Sequence, residues 1–396
     1  MRADTIGLAP PLAAFRAACP LLDRVVYLAN CSQAPLSLPV REALGRWQAS
    51  WSELGMHWAG WVEEVDAARA AFAALIGASA EDVAVGTSVS QLTSSVASAL
   101  VSRPDGWNGR TRIVSSTLEF PGVGQAWEAT SRFGWRVERV DVTVEDALTA
   151  DHLVKMVDDS TAVVSFPHVV YANGALVDPR PVVDAARARG TLVFLDAYQS
   201  VGTMPIDAPA LGVDMLAAGT LKYLMGTAGI AFLYVRPEVR ERLEPTVTGW
   251  FGRVDPFAFD PTALDYPRAA SRFDLGTPPI VNAFAARAGI ELIAATGPAA
   301  IRARVERLSQ VALTCADRLG LRVLGPTTAE AKGPTTAIDC GSSERAWAVE
   351  GRLRDRGVVT SARGRGVRLA PHGFTLDGEV EHALEETAGA LAALDR

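Results

Sequence analysis

Lysine is almost missing from this 396-residue chain: of 38 basic residues only Lys155, Lys222 and Lys332 are lysines. A guanidinium stays protonated and cannot become a nucleophile, whereas an ammonium can be tuned to lose its proton. A chain that has otherwise exchanged lysine for arginine is expected to keep one where amine chemistry is needed. Cysteine is also scarce, and Cys19, Cys31, Cys315 and Cys340 lie far apart with no CxxC pair. That excludes a disulfide framework or structural zinc site and makes a reducing, cytoplasmic setting the expectation. The five histidines (His57, His152, His168, His372, His382) show no HExxH or paired spacing, so no metal is expected. A formal charge of −7 offers no field to draw nucleic acid or an anionic membrane. No apolar run approaches the ~20 residues of a membrane span, and the opening MRADTIGLAPPL lacks a secretory layout. GxGxxG after a strand, GxxxxGK[ST] and GxSxG are all missing, which leaves dinucleotide, P-loop and serine-hydrolase readings without a motif.

What is present describes a globular enzyme, with 49% apolar and 21% charged residues. The length exceeds one compact core, so a large domain over 15–282 and a small α+β domain over 283–396 are expected. From about residue 38 to 235, apolar runs alternate between helical and strand spacing. Strands are expected at 82–85, 111–115, 135–140, 162–166, 191–195, 213–217 and 230–235, with helices between them. This pattern implies a mainly parallel sheet covered on both faces. Residues 245–282, rich in proline and aromatics, read as an irregular excursion. Helices near 283–296, 298–318, 344–356 and 377–392, with short strands at 321–324, 335–339 and 366–369, complete the small domain.

Lys155 and Lys332 sit among polar or loop-like neighbours and read as solvated surface. Lys222 lies in AAGTLKYLMGTAGIAFLYV, an apolar setting that would depress its pKa and favour Schiff-base chemistry. Upstream, Asp196 ends an apolar run in TLVFLDAYQSVG, at the carboxyl end of a buried strand where open α/β sheets bind ligands. The pair is 222 − 196 = 26 residues apart with one strand between. A cofactor that needs an amine for its aldehyde and a carboxylate for its pyridinium nitrogen is pyridoxal phosphate. Gly86, Thr87 and Ser88 open a helix after a strand and read as an anion cradle or as a plain helix cap. Thr220 is a further candidate phosphate donor.

These pieces resemble the class V aminotransferase group of fold-type I pyridoxal-phosphate enzymes, over roughly residues 25–375. YLANCSQAPL resembles the family's N-terminal active-site segment, which gives Asn30 a substrate-binding role. DAYQSVG matches its D-x-x-Q/H pattern, with Asp196 on the ring nitrogen and Gln199 near the phenolic oxygen. RFDLGTPPI would bring Thr277 to the phosphate of a neighbouring subunit, and RLAPHGF would set Arg368 on the substrate carboxylate. Several segments are most similar to kynureninase: STLEFP, giving Phe120 the stacking role; HVVYANG, with Tyr171; KYLMG; and GWFGR, with Trp250 approaching a partner's phosphate. Leu221, Gln199 and Arg253 depart from that branch, which carries tyrosine, histidine and histidine there. Desulfurases need a mobile cysteine near the last arginine, and residues 361–374 contain none; Cys340 reads as buried. Cys31 reads either as an active-site neighbour or as packing.

The resemblance implies an enzyme acting on an L-amino acid through aldimine and quinonoid intermediates. It leans to side-chain cleavage by a kynureninase-like hydrolase or C–S/C–C lyase. A class V aminotransferase and a catalytically degenerate pyridoxal-phosphate-binding scaffold are the alternatives. It also implies a homodimer with shared active sites, and no nucleic-acid or membrane partner.

Overall fold

The computed structural model describes residues 7–103 and 105–395; the first six residues of the opening segment lie outside them. In chain order the strands are β1 (Val26–Tyr27), β2 (Val83–Gly86), β3 (Arg112–Ser116), β4 (Arg136–Val140), β5 (Thr161–Pro167), β6 (Leu192–Asp196), β7 (Met215–Gly219), β8 (Ala231–Val235), β9 (Val323–Leu324), β10 (Thr336–Asp339), β11 (Val358–Val359), β12 (Ser361–Arg363) and β13 (Gly366–Leu369). The helices are α1 (Pro10–Ala17), α2 (Leu38–Leu54), α3 (Trp58–Leu75), α4 (Val89–Val101), α5 (Pro121–Glu128), α6 (Ala150–Val154), α7 (Pro179–Arg187), α8 (Ala208–Leu211), α9 (Pro237–Arg240), α10 (Ile280–Thr296), α11 (Pro298–Arg318), α12 (Ser343–Asp355) and α13 (Asp377–Ala392).

Seven strands form the large sheet in the order β2-β8-β7-β6-β5-β3-β4. Every residue of β5 to β8 is buried, as continuous apolar runs demand when helices cover both faces. From β4 through β7 the sheet is parallel, while β8 runs antiparallel to both β7 and β2. The chain leaves β3 for the outer strand β4, then crosses back to lay β5 on the other side of β3. That reversal opens a crevice at the carboxyl ends of β3 and β5, where ligands bind in such sheets. Helix α10 is apolar on nearly all sides and packs against α2 and α3, with Ala283, Ala286 and Ile290 joining the sheet's core. Gly297, at φ 89°, followed by Pro298, turns α10 into α11 through 78°. Among the described residues no single helix is long and apolar enough to cross a membrane.

The smaller sheet, β12-β13-β10-β9, is antiparallel. One face (Ile338, Ala362, Val367) packs with residues of α11, α12 and α13 in a separate apolar cluster. The opposite face pairs Ala337 with Arg368 and looks toward the large sheet, where Arg368 meets Tyr171. The N-terminal segment spans both parts. Strand β1 pairs in parallel with β11, and Ala29 bridges Ala370. A few residues on, the Ala34 amide donates to the Leu221 carbonyl at 2.8 Å.

Candidate active site

Lys222 follows β7 in a loop that folds back on itself. The buried Thr220 hydroxyl donates to the Thr227 carbonyl at 2.9 Å, and the Thr220 carbonyl accepts from the Gly226 amide at 2.8 Å. The Lys222 side chain is buried, with Nζ 4.1 Å from the centre of the Tyr198 ring and 5.2 Å from that of Phe120. Gly219 makes the first contact possible, because a Cβ there would lie 2.2 Å from the Tyr198 hydroxyl. Burial pulls the Lys222 ammonium down to about 8; Asp196 opposes this, and the positive charges of Arg368 and Arg363 add to it.

Asp196 ends β6, buried, and its Oδ1 accepts the Tyr198 amide at 2.9 Å. Burial raises its pKa against the pull of that amide and of Lys222. A second buried carboxyl, Glu119, faces it across the crevice: Oε1 accepts the Phe120 amide at 2.8 Å and Oε2 lies 3.4 Å from Ser165 Oγ on β5. Burial and the charge of Asp196 hold Glu119 well above the usual carboxylate range. Gln199 donates to the Cys31 carbonyl at 3.1 Å, leaving its buried Oε1 without a partner.

Arg368 gathers the other wall. Only 1% exposed, it directs its hydrogen bonds to neutral oxygens: the Tyr171 carbonyl (2.8 Å), Ser32 Oγ (3.0 Å), Ser361 Oγ (2.7 Å) and the Ser361 carbonyl (3.2 Å). A buried guanidinium so held awaits an anion. Tyr171 meets Phe120 edge to face at 5.2 Å, which joins the segments after β3 and β5. Asn30 is fully buried, donates to the Ala370 carbonyl at 2.8 Å and has an unpaired Oδ1. Cys31 is buried beside Tyr223 and Ala370.

Thr87 and Ser88 open α4, with Ser88 Oγ capping the Gln91 amide at 3.1 Å and the Thr87 amide donating to Gln91 Oε1 at 3.1 Å. Gln91 Nε2 is then buried and unpaired. This turn adjoins Phe120, because a Cβ on Gly122 would lie 2.3 Å from Ser90 Oγ. Thr277 is exposed, on a segment tied to β2 where Asp274 accepts the Val85 amide at 2.8 Å. Trp250 is half-buried, stacks with Phe259 and meets Trp58 edge to face. Sequence reasoning missed Glu119, Tyr198, Ser361 and Gln91. Only the D-x-x-Q spacing around Tyr198 carried a signal.

Lys332 is corrected by the structure: it is fully buried, not solvated. Its segment folds over Asn173–Ala175, and Nζ lies 3.3 Å from the Pro326 carbonyl and 3.4 Å from that of Asn173. Burial brings it, too, to about 8. What distinguishes Lys222 is therefore its company, not its burial.

That company fits pyridoxal phosphate. The chamber offers an amine for a carbonyl, a buried carboxylate for a ring cation, an unpaired acceptor on Gln199 for a phenolic hydroxyl, and an unpaired donor on Gln91 beside the α4 turn. The sequence profile of the aminotransferase class-V family matches residues 27–372. An uncharacterized aminotransferase, YcbU, of Bacillus subtilis is 35% identical over 374 residues, covering 94% of this chain and 96% of that protein. A kynureninase of Deinococcus radiodurans is 30% identical over 311 residues, or 76% and 73% of the two chains. The apo cysteine desulfurase of Thermococcus onnurineus NA1 superposes with a TM-score of 0.84 at 23% identity over 96% of this chain and 98% of that one. C-DES carrying glycine covalently linked to its PLP cofactor superposes with a TM-score of 0.84 at 20% identity, over 94% and 98%. The chain thus belongs to the class V aminotransferase family, an α/β enzyme of the pyridoxal-phosphate-dependent fold type I.

Proposed function

We propose that this enzyme binds an L-amino acid by its α-carboxylate and cleaves the side chain. The observation that carries the reading is Arg368, buried without an acidic partner among the described residues and close enough to Lys222 to lower its pKa. When bound, the cofactor supplies an electron sink for charge developing at the substrate's Cα. The chain's own residues do the rest. Arg368, braced by Ser32, Ser361 and the Tyr171 carbonyl, orients the carboxylate. Lys222, partly neutral near pH 8, takes and returns the proton at Cα. Asp196 is the carboxylate whose charge would favour a protonated ring nitrogen, beside Glu119, whose pKa is held above the usual range. Phe120 and Tyr198 flank the Lys222 amine and keep water from it.

Cleavage is favoured by two kynureninase-like segments, those of Phe120 and Tyr171, which fold together at the site. Aminotransfer is the second reading, supported by the relative named an aminotransferase over nearly the whole chain. A panel of L-amino acids separates them. Cleavage releases a side-chain fragment without an added acceptor, whereas an absolute requirement for a keto acid would replace it with aminotransfer. Borohydride treatment of the loaded protein and peptide mapping should fix the cofactor to Lys222; attachment to Lys155 or Lys332 would overturn the site.

A cytoplasmic homodimer with shared sites completes the proposal. The excursion around Trp250 leaves Phe257 50% and Phe259 73% exposed, and Thr277 is exposed beside it. Sizing and cofactor absorbance over one dilution series test this. A monomer that keeps its cofactor is incompatible with shared sites.

A further inference from the structure

Arg363 ends β12, opposite Gly366 of β13, just as Ser361 stands opposite Arg368. Side chains two apart on a strand share a face. Arg363 therefore lies on the face that presents Ser361 and Arg368 to the large sheet, and not on the face packed with α12 and α13, where Ala362 and Val367 sit. Glycine across from it leaves no cross-strand side chain to cover the guanidinium. The side chain is exposed, and its charge reaches the buried Lys222 amine. Among the described residues it forms no ion pair, whereas its hairpin neighbour Arg365 is engaged by Asp339 and Glu145. The hairpin thus aims two guanidiniums at one chamber, one at its buried wall and one at its solvent side.

We infer that Arg363 is a specificity-determining residue that binds a second anionic group, so that the preferred substrate is an L-amino acid whose side chain carries a carboxylate or comparable anion. This rests on the assignment of the α-carboxylate to Arg368. A planar fork suits a carboxylate, and a position near solvent lets the distal group enter without being fully dehydrated.

Binding of glutarate and of valerate to the cofactor-loaded protein, by calorimetry and by the change in cofactor absorbance, tests it without turnover. The two acids match in length and differ in the second carboxylate. Glutarate should bind at least about tenfold tighter, the factor expected of one hydrogen bond to a charged group. Arg363→Gln should bring the ratio close to one while leaving valerate affinity unchanged, and Arg363→Lys should restore part of it. A wild-type ratio near one, a ratio that survives Arg363→Gln, or equal loss for both acids each overturns the inference. Arg368→Gln is the separate control. If it spares valerate binding, the carboxylate assignment fails, whatever the behaviour of Arg363.

Discussion

The titration of Lys222 gives the most direct test of the site's electrostatics. Burial brings it from 10.5 to about 8, with Asp196 the strongest opposing influence and Arg368 and Arg363 reinforcing the fall. The difference amounts to roughly 3 kcal/mol set against the ammonium, so at pH 7.5 about a quarter of the amine is neutral, against about one in a thousand for an ordinary lysine. Competitive acetylation of the cofactor-free protein over a pH series, read peptide by peptide, follows each of the three lysines separately. Exposed Lys155 serves as the reference for reagent reactivity. The Lys222 curve should have its midpoint near pH 8. Asp196→Asn removes the charge that favours the ammonium and should shift the midpoint lower, whereas Arg368→Gln should shift it higher. A wild-type midpoint near 10.5, or an upward shift in Asp196→Asn, would refute the reasoning.

Burial and Asp196 hold the Glu119 pKa well above its ordinary value of 4.5 in the fold, so ionisation above that pH favours the unfolded chain. Glu119→Gln should therefore raise the melting temperature at pH 7 and give no gain below about pH 4; a lower melting temperature at pH 7 contradicts this. Arg368→Gln should raise KM for any amino-acid substrate by about 10- to 100-fold, the worth of a charge-assisted pair, and an unchanged KM would move the carboxylate site elsewhere. Gly174 sits at φ +77°, and a Cβ there would lie 2.0 Å from the Thr335 carbonyl oxygen. Gly174→Ala should cost more than about 2 kcal/mol, checked by denaturant unfolding; an unaltered midpoint means the backbone there yields.

Much of the large sheet was legible because buried parallel strands write themselves as uninterrupted apolar runs. LVFLD marked both β6 and the carboxylate at its end. Direction was not legible: AFLYV reads the same whether β8 is parallel or, as here, antiparallel. Strands β1, β11 and β12 span two or three residues, too few for any periodicity, yet they place Tyr27 to Ser32 and set the face of Arg363. Glu119 carries no burial signal in STLEFP, and only the fold, through β5, brings Ser165 beside it. Lys332 misled for the same reason. Its neighbours in sequence are polar, but its neighbours in space are Asn173 and Pro326.

The N-terminal segment also dictates when a working site first exists. Asn30 is held by the carbonyl of Ala370, 340 residues later, and Arg16 by that of Phe374, 358 residues later. Until the ribosome has released that distal stretch, Phe15 lacks its ring contacts with His372 and Phe374, and Leu28 lacks Val358 and Leu369 from its cluster. Contacts of such sequence separation form late and slow folding, and they leave the nascent chain open to off-pathway association. A chain terminated near residue 355 would retain Lys222 and Asp196 yet lose Arg368, the strand that registers β1 and the anchor of Asn30. Substrate binding, rather than cofactor attachment at Lys222, therefore reports that residues 16–30 and 358–374 have come together.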